Sequence, residues 1–293
     1  MSEYKLAKHP EYGYLRVEPT PTKEEIAKFY ADEFYASEPV GQVNDSSLEI
    51  QNRDREFYTA WREDLAVWIE NTIKKDTISI YDFGCGWCET LNFFKNKGYE
   101  CYGIDTAPGA IEHGKTLGLN VEISDLEDIN PFNRKFDVVL MQNVLEHLAK
   151  PEDTIKKLHS EVLEEGGLLI IDVPNEFNDF QVAGKELHNL DEWWVAPPAH
   201  LNYFTVDSLR QLLGQCGYQV LDEVASFPLE MFLLMDDCYV GNPELGRQCH
   251  EKRMAFEKNL TAMAGRDKLH GFYRALAQLN LGRQILTVSQ KVG

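Results

Sequence analysis

The sequence contains no apolar stretch approaching the ~20 residues of a membrane-spanning helix, and no internal repeat or low-complexity tract. Positive charge is scarce: 29 Lys and Arg stand against 48 Asp and Glu, a formal net charge of −19 at pH 7. A surface of that sign repels phosphate backbones and anionic lipid heads over about a Debye length, so neither nucleic acid nor membrane is an expected partner. Cysteine is sparse and irregular, with six residues at 85, 88, 101, 216, 238 and 249, and lacks the rhythm of a disulfide scaffold. The opening residues Met1-Ser2-Glu3-Tyr4-Lys5 have no apolar run behind their charges, so no signal peptide is expected. Together these absences predict a cytoplasmic, reduced setting. What is present is ordinary globular composition, 43% hydrophobic and 26% charged, with 13 Tyr, 15 Phe and 5 Trp to build a core. At 293 residues the chain predicts one elaborated domain, or a core carrying a smaller cap.

Two patterns divide the chain. Residues 1–75 predict an N-terminal helical cap: Pro19-Thr20-Pro21-Thr22 breaks the chain, and Lys23-Glu24-Glu25 opens a helix through Tyr30. Residues Ser37 to Ser47 predict a loop. A longer helix follows from about Ser47 to Glu70, with Phe57, Trp61, Leu65 and Trp68 on one face. From Thr77 strands and helices alternate, with strands at Ile78–Phe83, Glu100–Ile104, Phe136–Met141 and Leu168–Val173. Helices are predicted at Glu89–Lys97, Pro108–Leu117, about Glu152–Leu163 and Val206–Cys216, then strands at Tyr218–Phe227 and Gln284–Gln290. Apolar strands separated by helices imply a mainly parallel sheet covered on both faces, a doubly wound Rossmann-like α/β fold. Residues 76–293 would form that domain, with a mostly helical insert at about 228–283 before the last strand.

The densest signal is Asp82-Phe83-Gly84-Cys85-Gly86-Trp87-Cys88, where the first strand runs into a helix. Glycines there let a ligand approach the backbone, and the helix N-terminus offers unpaired N–H groups. The next strand ends at Asp105, 19 residues after Gly86, where a carboxylate is placed to accept hydrogen bonds from ribose hydroxyls. A dinucleotide fingerprint would need glycine at position 89, where Glu89 stands. Asp82 beside the turn favours a ligand that also carries positive charge, and the ammonium and sulfonium of S-adenosylmethionine satisfy this. Cys85-Gly86-Trp87-Cys88 also spells C-x-x-C, but no second pair or nearby His pair completes a zinc site, and the strand order does not suit a thioredoxin.

These residues resemble the class I S-adenosylmethionine-dependent methyltransferases. Residues 82–88 match the family's first motif, with Cys88 in place of its third glycine, a change that tightens the turn toward the helix. The resemblance implies a seven-stranded sheet and a cofactor site built from Asp82, Gly84, Cys85, Gly86, ribose-binding Asp105, and Asp125 and Leu126 at the adenine edge. Phe136–Val139 through Asn143-Val144-Leu145-Glu146-His147-Leu148 matches the fourth strand and its turn, adding Asn143 to the cofactor set. Gly166-Gly167 and the strand ending Val173-Pro174-Asn175 complete a match over about residues 76–226. No metal ligand is implied.

In doubly wound sheets the substrate lies beyond the carboxyl ends of the strands, so the methyl acceptor is expected near residues 192–204. His200 is the first candidate for general base and His147 the second, either of which could instead be structural; Tyr203 and Asn202 are candidates for orienting the acceptor. Trp193 and Trp194 either stack on a sugar or aromatic acceptor or pack into the core. The segment Pro197-Pro198-Ala199-His200-Leu201-Asn202-Tyr203-Phe204, with Val173-Pro174-Asn175, is similar to bacterial small-molecule methyltransferases of surface-polysaccharide and natural-product pathways, which implies O-methylation of a sugar or sugar-nucleotide. An N-methyltransferase, a quinone or natural-product O-methyltransferase, an NAD-dependent enzyme and a non-catalytic nucleotide-binding module are the alternatives. An anionic acceptor would need a basic patch, for which Arg16, Arg53, Arg55 and Arg62 are candidates. Phe29-Tyr30 and Phe34-Tyr35 suit a lid or an ordinary cap, and the apolar run Met231–Met235 suits a pocket wall or a homodimer contact.

Overall fold

A computed structural model describes residues 4–22, 24–25, 48–124, 126 and 128–293. The described chain enters as a hairpin, β1 (Lys5–Lys8) and β2 (Leu15–Glu18), paired antiparallel. The expected N-terminal helical cap did not include this hairpin. Leu15-Arg16-Val17-Glu18 alternates apolar and charged residues with a period of two, which serves a strand and not a helix. His9 stacks on Tyr12 and Tyr14 at 4.8 and 4.9 Å, and Tyr14 packs on Phe204 at 5.0 Å, so the hairpin is seated by aromatic contacts. The helix and loop expected over 23–47, with the lid candidates Phe29, Tyr30, Phe34 and Tyr35, lie outside the described residues.

The long helix expected from Ser47 is two, α1 (Leu48–Arg53) and α2 (Arg55–Thr72), broken at Asp54. The alternating region then runs β3 (Ser79–Phe83), α3 (Glu89–Asn96), β4 (Glu100–Asp105), α4 (Pro108–Thr116), β5 (Asn120–Ile123) and β6 (Phe136–Gln142). It continues with α5 (Pro151–Lys157), β7 (Leu163–Pro174), α6 (Asp179–His188), β8 (Asn202–Tyr203), α7 (Val206–Gln215) and β9 (Tyr218–Ala225). The insert supplies α8 (Glu230–Leu233), α9 (Pro243–Ala264) and α10 (Arg266–Gln278) before β10 (Gln284–Lys291). β8 extends the hairpin to a three-stranded sheet.

The main sheet has seven strands in the order β5-β4-β3-β6-β7-β10-β9. Its pairs are parallel except for β10, which runs antiparallel to both β7 and β9. Every residue of β3 is buried, as are the first six of β6, because helices cover both faces. The mainly parallel doubly wound expectation therefore holds. The strand order changes direction at β3, and the crevice beside β3 and β6 at their carboxyl ends is where such sheets bind ligands.

A polar strap ties α2 to the insert. Asp64 accepts from Arg266 Nε at 2.9 and 3.0 Å and lies 3.1 Å from His270 Nε2. Trp68 stacks on His270 at 5.2 Å and donates to Asp222 at 2.8 Å, and Asp222 also accepts from Arg274 at 2.8 and 2.6 Å.

Candidate functional site

Bulky residues in the left-handed backbone region mark the carboxyl edge of the main sheet. Cys88 (φ 62°) follows β3, Leu126 (φ 66°) follows β5, Asn143 (φ 53°) follows β6 and Phe177 (φ 59°) follows β7. A residue with a Cβ in that region costs on the order of 1–3 kcal/mol, and such strain collects where function fixes the backbone. Four loops at one edge of one sheet carry it.

The cofactor side is built by the turn after β3. Gly84 and Cys85 donate to the Ile104 carbonyl at 2.9 and 2.8 Å, which locks the turn onto β4. A Cβ at Gly84 (φ +83°) would lie 2.4 Å from Val144 Cγ2, so glycine is required there, whereas at Gly86 a Cβ would meet nothing within 4 Å. The backbone at Gly86 therefore faces open space that a ligand can enter. Asp105 Oδ2 accepts from Gly86 N at 2.8 Å and Oδ1 from Ala107 N at 2.9 Å, and a carboxylate with two such bonds keeps lone pairs for ribose hydroxyls. Asp82 is buried, with Oδ1 unpartnered. Burial first, then the Asp105 charge, raise its pKa well above the ordinary aspartate value, against the opposing Arg62 charge. Cys88 takes the left-handed conformation that a glycine would hold, so the replacement does not tighten the turn as expected. Its sulfur lies 3.5 Å from that of Cys85 and fills the space beside Gly114. Leu126 N donates to Ser124 Oγ at 3.1 Å, and the side-chain amides of Asn143 and Gln284 meet at 3.0 Å. Asp125 lies outside the described residues. An orphaned buried carboxylate, an open glycine face and a ribose-level acid suit a cationic nucleoside such as S-adenosylmethionine.

The segment expected to face the acceptor gathers around the short helical turn Leu145–His147. Loop 196–204 is laced to it: Leu201 N donates to Glu146 O at 2.8 Å, and His147 Nδ1 meets Ala199 O at 2.7 Å. A carbonyl only accepts, so Nδ1 carries the proton and Nε2 is the basic nitrogen of His147. That nitrogen lies 3.7 Å from Glu146 Oε1, and the rings of His147 and His200 are 5.0 Å apart. Glu146, His147 and His200 each place one donor atom within 4.8 Å of the others, close enough to ligate one ion, an arrangement the sequence did not suggest. Burial pushes the Glu146 carboxyl up to about 8 and lowers His147. His200 is pushed down to about 3 by burial, then by His147 and Arg283, which leaves it a weak base.

Tyr203 and Asn202 turn out to hold the loop together. The buried Tyr203 hydroxyl donates to His200 O at 3.1 Å and accepts from Ala196 N at 3.1 Å, so it clasps the loop instead of facing a substrate. Asn202 Nδ2 donates to Leu148 O at 2.7 Å and secures the 145–148 turn. Trp193 and Trp194 pack edge to face at 4.7 Å, and Phe177 bridges Trp194 (5.4 Å) and Tyr203 (5.9 Å).

A second polar group, missed in the sequence, adjoins these residues. Buried Glu176, just past β7, accepts from Gln181 Nε2 at 2.6 Å, and fully buried Glu230 accepts from Arg283 Nη1 at 2.7 Å. Asn175 N donates to Arg283 O at 2.9 Å, which puts Arg283 level with the carboxyl end of β7. Burial raises Glu176 to about 7 against the Arg283 charge. The position of Glu176 one residue beyond Val173-Pro174-Asn175 was the available signal; nothing local singled out Glu230 or Arg283. The expected basic candidates lie elsewhere: Arg16 pairs with Glu18, Arg53 with Asp54, Arg55 is exposed, and Arg62 sits by Gln51 on the cofactor side.

The arrangement, a glycine turn with Asp105 bonded to it on one side and a buried pair of histidines on the other, suits a transferase that uses a nucleoside cofactor. A protein-family profile described as "Methyltransferase domain" matches residues 50–223, and the chain belongs to that family, a family of S-adenosylmethionine-dependent methyltransferases. It is 28% identical over 156 residues to a ubiquinone biosynthesis O-methyltransferase of Ruegeria pomeroyi, covering 50% of this chain and 61% of that protein. The chain thus spans about three fifths of the length of the first curated relatives it matches. A second such protein, from a Ruegeria strain, is 27% identical over 213 residues, covering 68% of this chain and 83% of the relative. Among solved structures, the plantazolicin methyltransferase BpumL shares the fold at TM-score 0.54 and 17% identity, covering 92% of this chain and 94% of that one. A methyltransferase of Archaeoglobus fulgidus does so at TM-score 0.51 and 16% identity, covering 81% and 97%.

Proposed function

We propose that the chain transfers a methyl group to a hydroxyl oxygen of a small, polyhydroxylated acceptor, a sugar or sugar-nucleotide, with His147 as the general base. The curated relatives' names support transfer to oxygen. The observation that carries the acceptor class is a group of six among the fourteen buried polar side-chain atoms without hydrogen-bond partners among the described residues: Glu146 Oε2, Gln181 Oε1, Trp193 Nε1, Trp194 Nε1, His200 Nδ1 and Tyr239 Oη. An unpaired buried polar atom costs on the order of 1–3 kcal/mol, and hydroxyls, which donate and accept, can answer both the oxygens and the indole N–H groups. The aromatic walls add faces on which a sugar ring stacks.

S-adenosylmethionine supplies a methyl group already activated on a sulfonium sulfur, so the protein must align the acceptor and remove its proton. Gly86 and the start of α3 receive the cofactor, Asp105 takes the ribose hydroxyls, and Asp82 answers the cationic charge. His147 Nε2 accepts the acceptor's proton while Nδ1–H stays bonded to Ala199 O. Glu146, 3.7 Å away and titrating near 8, stabilises the resulting imidazolium once it is ionised. His200, pushed down to about 3 by burial, His147 and Arg283, is too weak a base for this step. The relatives' names favour a phenolic acceptor as the second reading. Release of S-adenosylhomocysteine from a panel of hexoses, sugar-nucleotides and catechols decides between them. Turnover of sugars supports the first reading, and turnover of catechols alone overturns it.

A further inference from the structure

Arg283 is an unusual residue to find beside a cleft in a chain so rich in acid. Its guanidinium is surrounded by protein, with Glu230, Tyr239, Glu176 and His200 within electrostatic reach, yet 39% of its side-chain surface remains accessible. Glu230, by contrast, has no accessible surface. A cation present only to neutralise Glu230 would be enclosed with it. Among the described residues, one nitrogen of the Arg283 side chain, Nη1, has a hydrogen-bond partner. The Nε–Nη2 edge is the fork that matches an oxyanion bidentately. Its height is also fixed, because the Arg283 carbonyl accepts from Asn175 N at the carboxyl end of β7, the edge at which the acceptor binds.

We propose that Arg283 anchors an anionic oxygen group of the acceptor, a carboxylate or a phosphate, on its Nε–Nη2 edge, which narrows the acceptor to an acidic or phosphorylated polyol. The proposal rests on the acceptor site proposed above. Glu230 sets the strength of the site: it occupies Nη1 and offsets the Arg283 charge, so a neutral molecule gains little and an oxyanion pairs with the remaining edge. Glu176, in contact with Gln181 and opposed by Arg283, limits repulsion in its protonated form. The arrangement resolves the mismatch between a net charge of −19 and an anionic acceptor, since one inward cation, held by insert and sheet together, does what a surface patch would otherwise do.

The test uses the full chain loaded with S-adenosylhomocysteine, with the fluorescence of Trp193 and Trp194 as the binding signal. Three probes are compared: methyl glucoside (neutral), glucuronate (carboxylate) and glucose 1-phosphate (phosphate). At least one anionic probe should bind tenfold or more tightly than the neutral one, and the better of the two identifies the source of the charge. The paired variant Arg283→Gln with Glu230→Gln keeps a neutral, hydrogen-bonded pair in the cleft and should abolish the preference while leaving S-adenosylhomocysteine affinity unchanged. Glu230→Gln alone should strengthen binding of the anionic probe threefold or more. No preference in the wild type, a preference that survives in the paired variant, or weaker anion binding in Glu230→Gln each overturns the proposal. Methyl transfer is followed in parallel: turnover of neutral sugars by both proteins alike would sink the anion anchor and leave the sugar-methylating reading standing. Turnover of catechols alone would sink that reading instead.

Discussion

Asp82 is the residue whose substitution best separates a cofactor site from a folding motif. It is 1% exposed, its Oδ1 has no partner, and burial followed by the Asp105 charge raises its pKa well above the ordinary value. The neutral carboxyl is therefore favoured until a cation arrives. Asp82→Asn removes the ionisable oxygen at nearly constant volume. Loss of a hydrogen bond to a charged group is worth about 1.5–3 kcal/mol, so the dissociation constant for S-adenosylmethionine should rise roughly ten- to 150-fold. Binding to the wild type should release protons, seen as an observed heat that varies with buffer ionisation enthalpy; the variant should not show this. The stability of the ligand-free protein carries the opposite sign. Between the ordinary aspartate pKa and the raised one, the folded state holds a proton that the unfolded state has lost. Stability therefore falls as pH rises through that window, by up to about 1.4 kcal/mol per pH unit. Asp82→Asn should flatten this slope and be as stable as the wild type, or more so, at pH 7. A variant that binds S-adenosylmethionine normally yet loses more than about 2 kcal/mol of stability would refute the reasoning and make Asp82 a structural acid.

Further outcomes follow from the same geometry. His147→Gln should lower turnover by about 10²–10⁴-fold with cofactor affinity intact, and a calorimetric titration beside the rate measurement checks both. The wild-type rate should climb with pH up to about 8 as Glu146 ionises, and Glu146→Gln should lose that limb of the pH–rate profile. Gly84→Ala forces a Cβ toward Val144 at a positive φ and should destabilise by about 1–3 kcal/mol in urea melts. Asp64→Asn should cost about 3 kcal/mol by leaving Arg266 and His270 unanswered. Burial raises the Asp64 pKa, but the His270 and Arg266 contacts outweigh it and hold the carboxyl low, so the wild-type strap's contribution should be lost only as pH falls through that lowered value.

The residues proposed for the cofactor could be picked out in the sequence because they are local. One turn of seven residues and the end of the next strand carry Asp82, Gly84, Gly86 and Asp105, and the period of the apolar runs fixes the strands that hold them. Even Cys88 was readable as a replaced glycine, though only its positive φ shows that the backbone is unchanged. The N-terminal hairpin was missed because its strands are four residues long and border a Pro-rich break, so the stronger helical signal of Lys23-Glu24-Glu25 dominated. For the proposed acceptor half the sequence offered Trp193 and Trp194, which pack edge to face, and His147 and His200, whose rings the fold brings to 5.0 Å. Their ranking was not readable, because basicity depends on burial and on Arg283, a residue 83 positions beyond His200 with no neighbouring motif. Segments 145–148, 175–204 and the end of the insert are linked by the bonds of Leu201 N to Glu146 O and of Asn175 N to Arg283 O, the second of which depends on β10 returning antiparallel between β7 and β9. That return sets Arg283 opposite Asn175, while the Asp64–Arg266 strap holds the rest of the insert against α2. The strap can thus fail without removing any residue proposed for either half. A variant that loosens it should leave S-adenosylmethionine affinity close to normal and weaken acceptor binding, because only the acceptor half borrows residues from the insert.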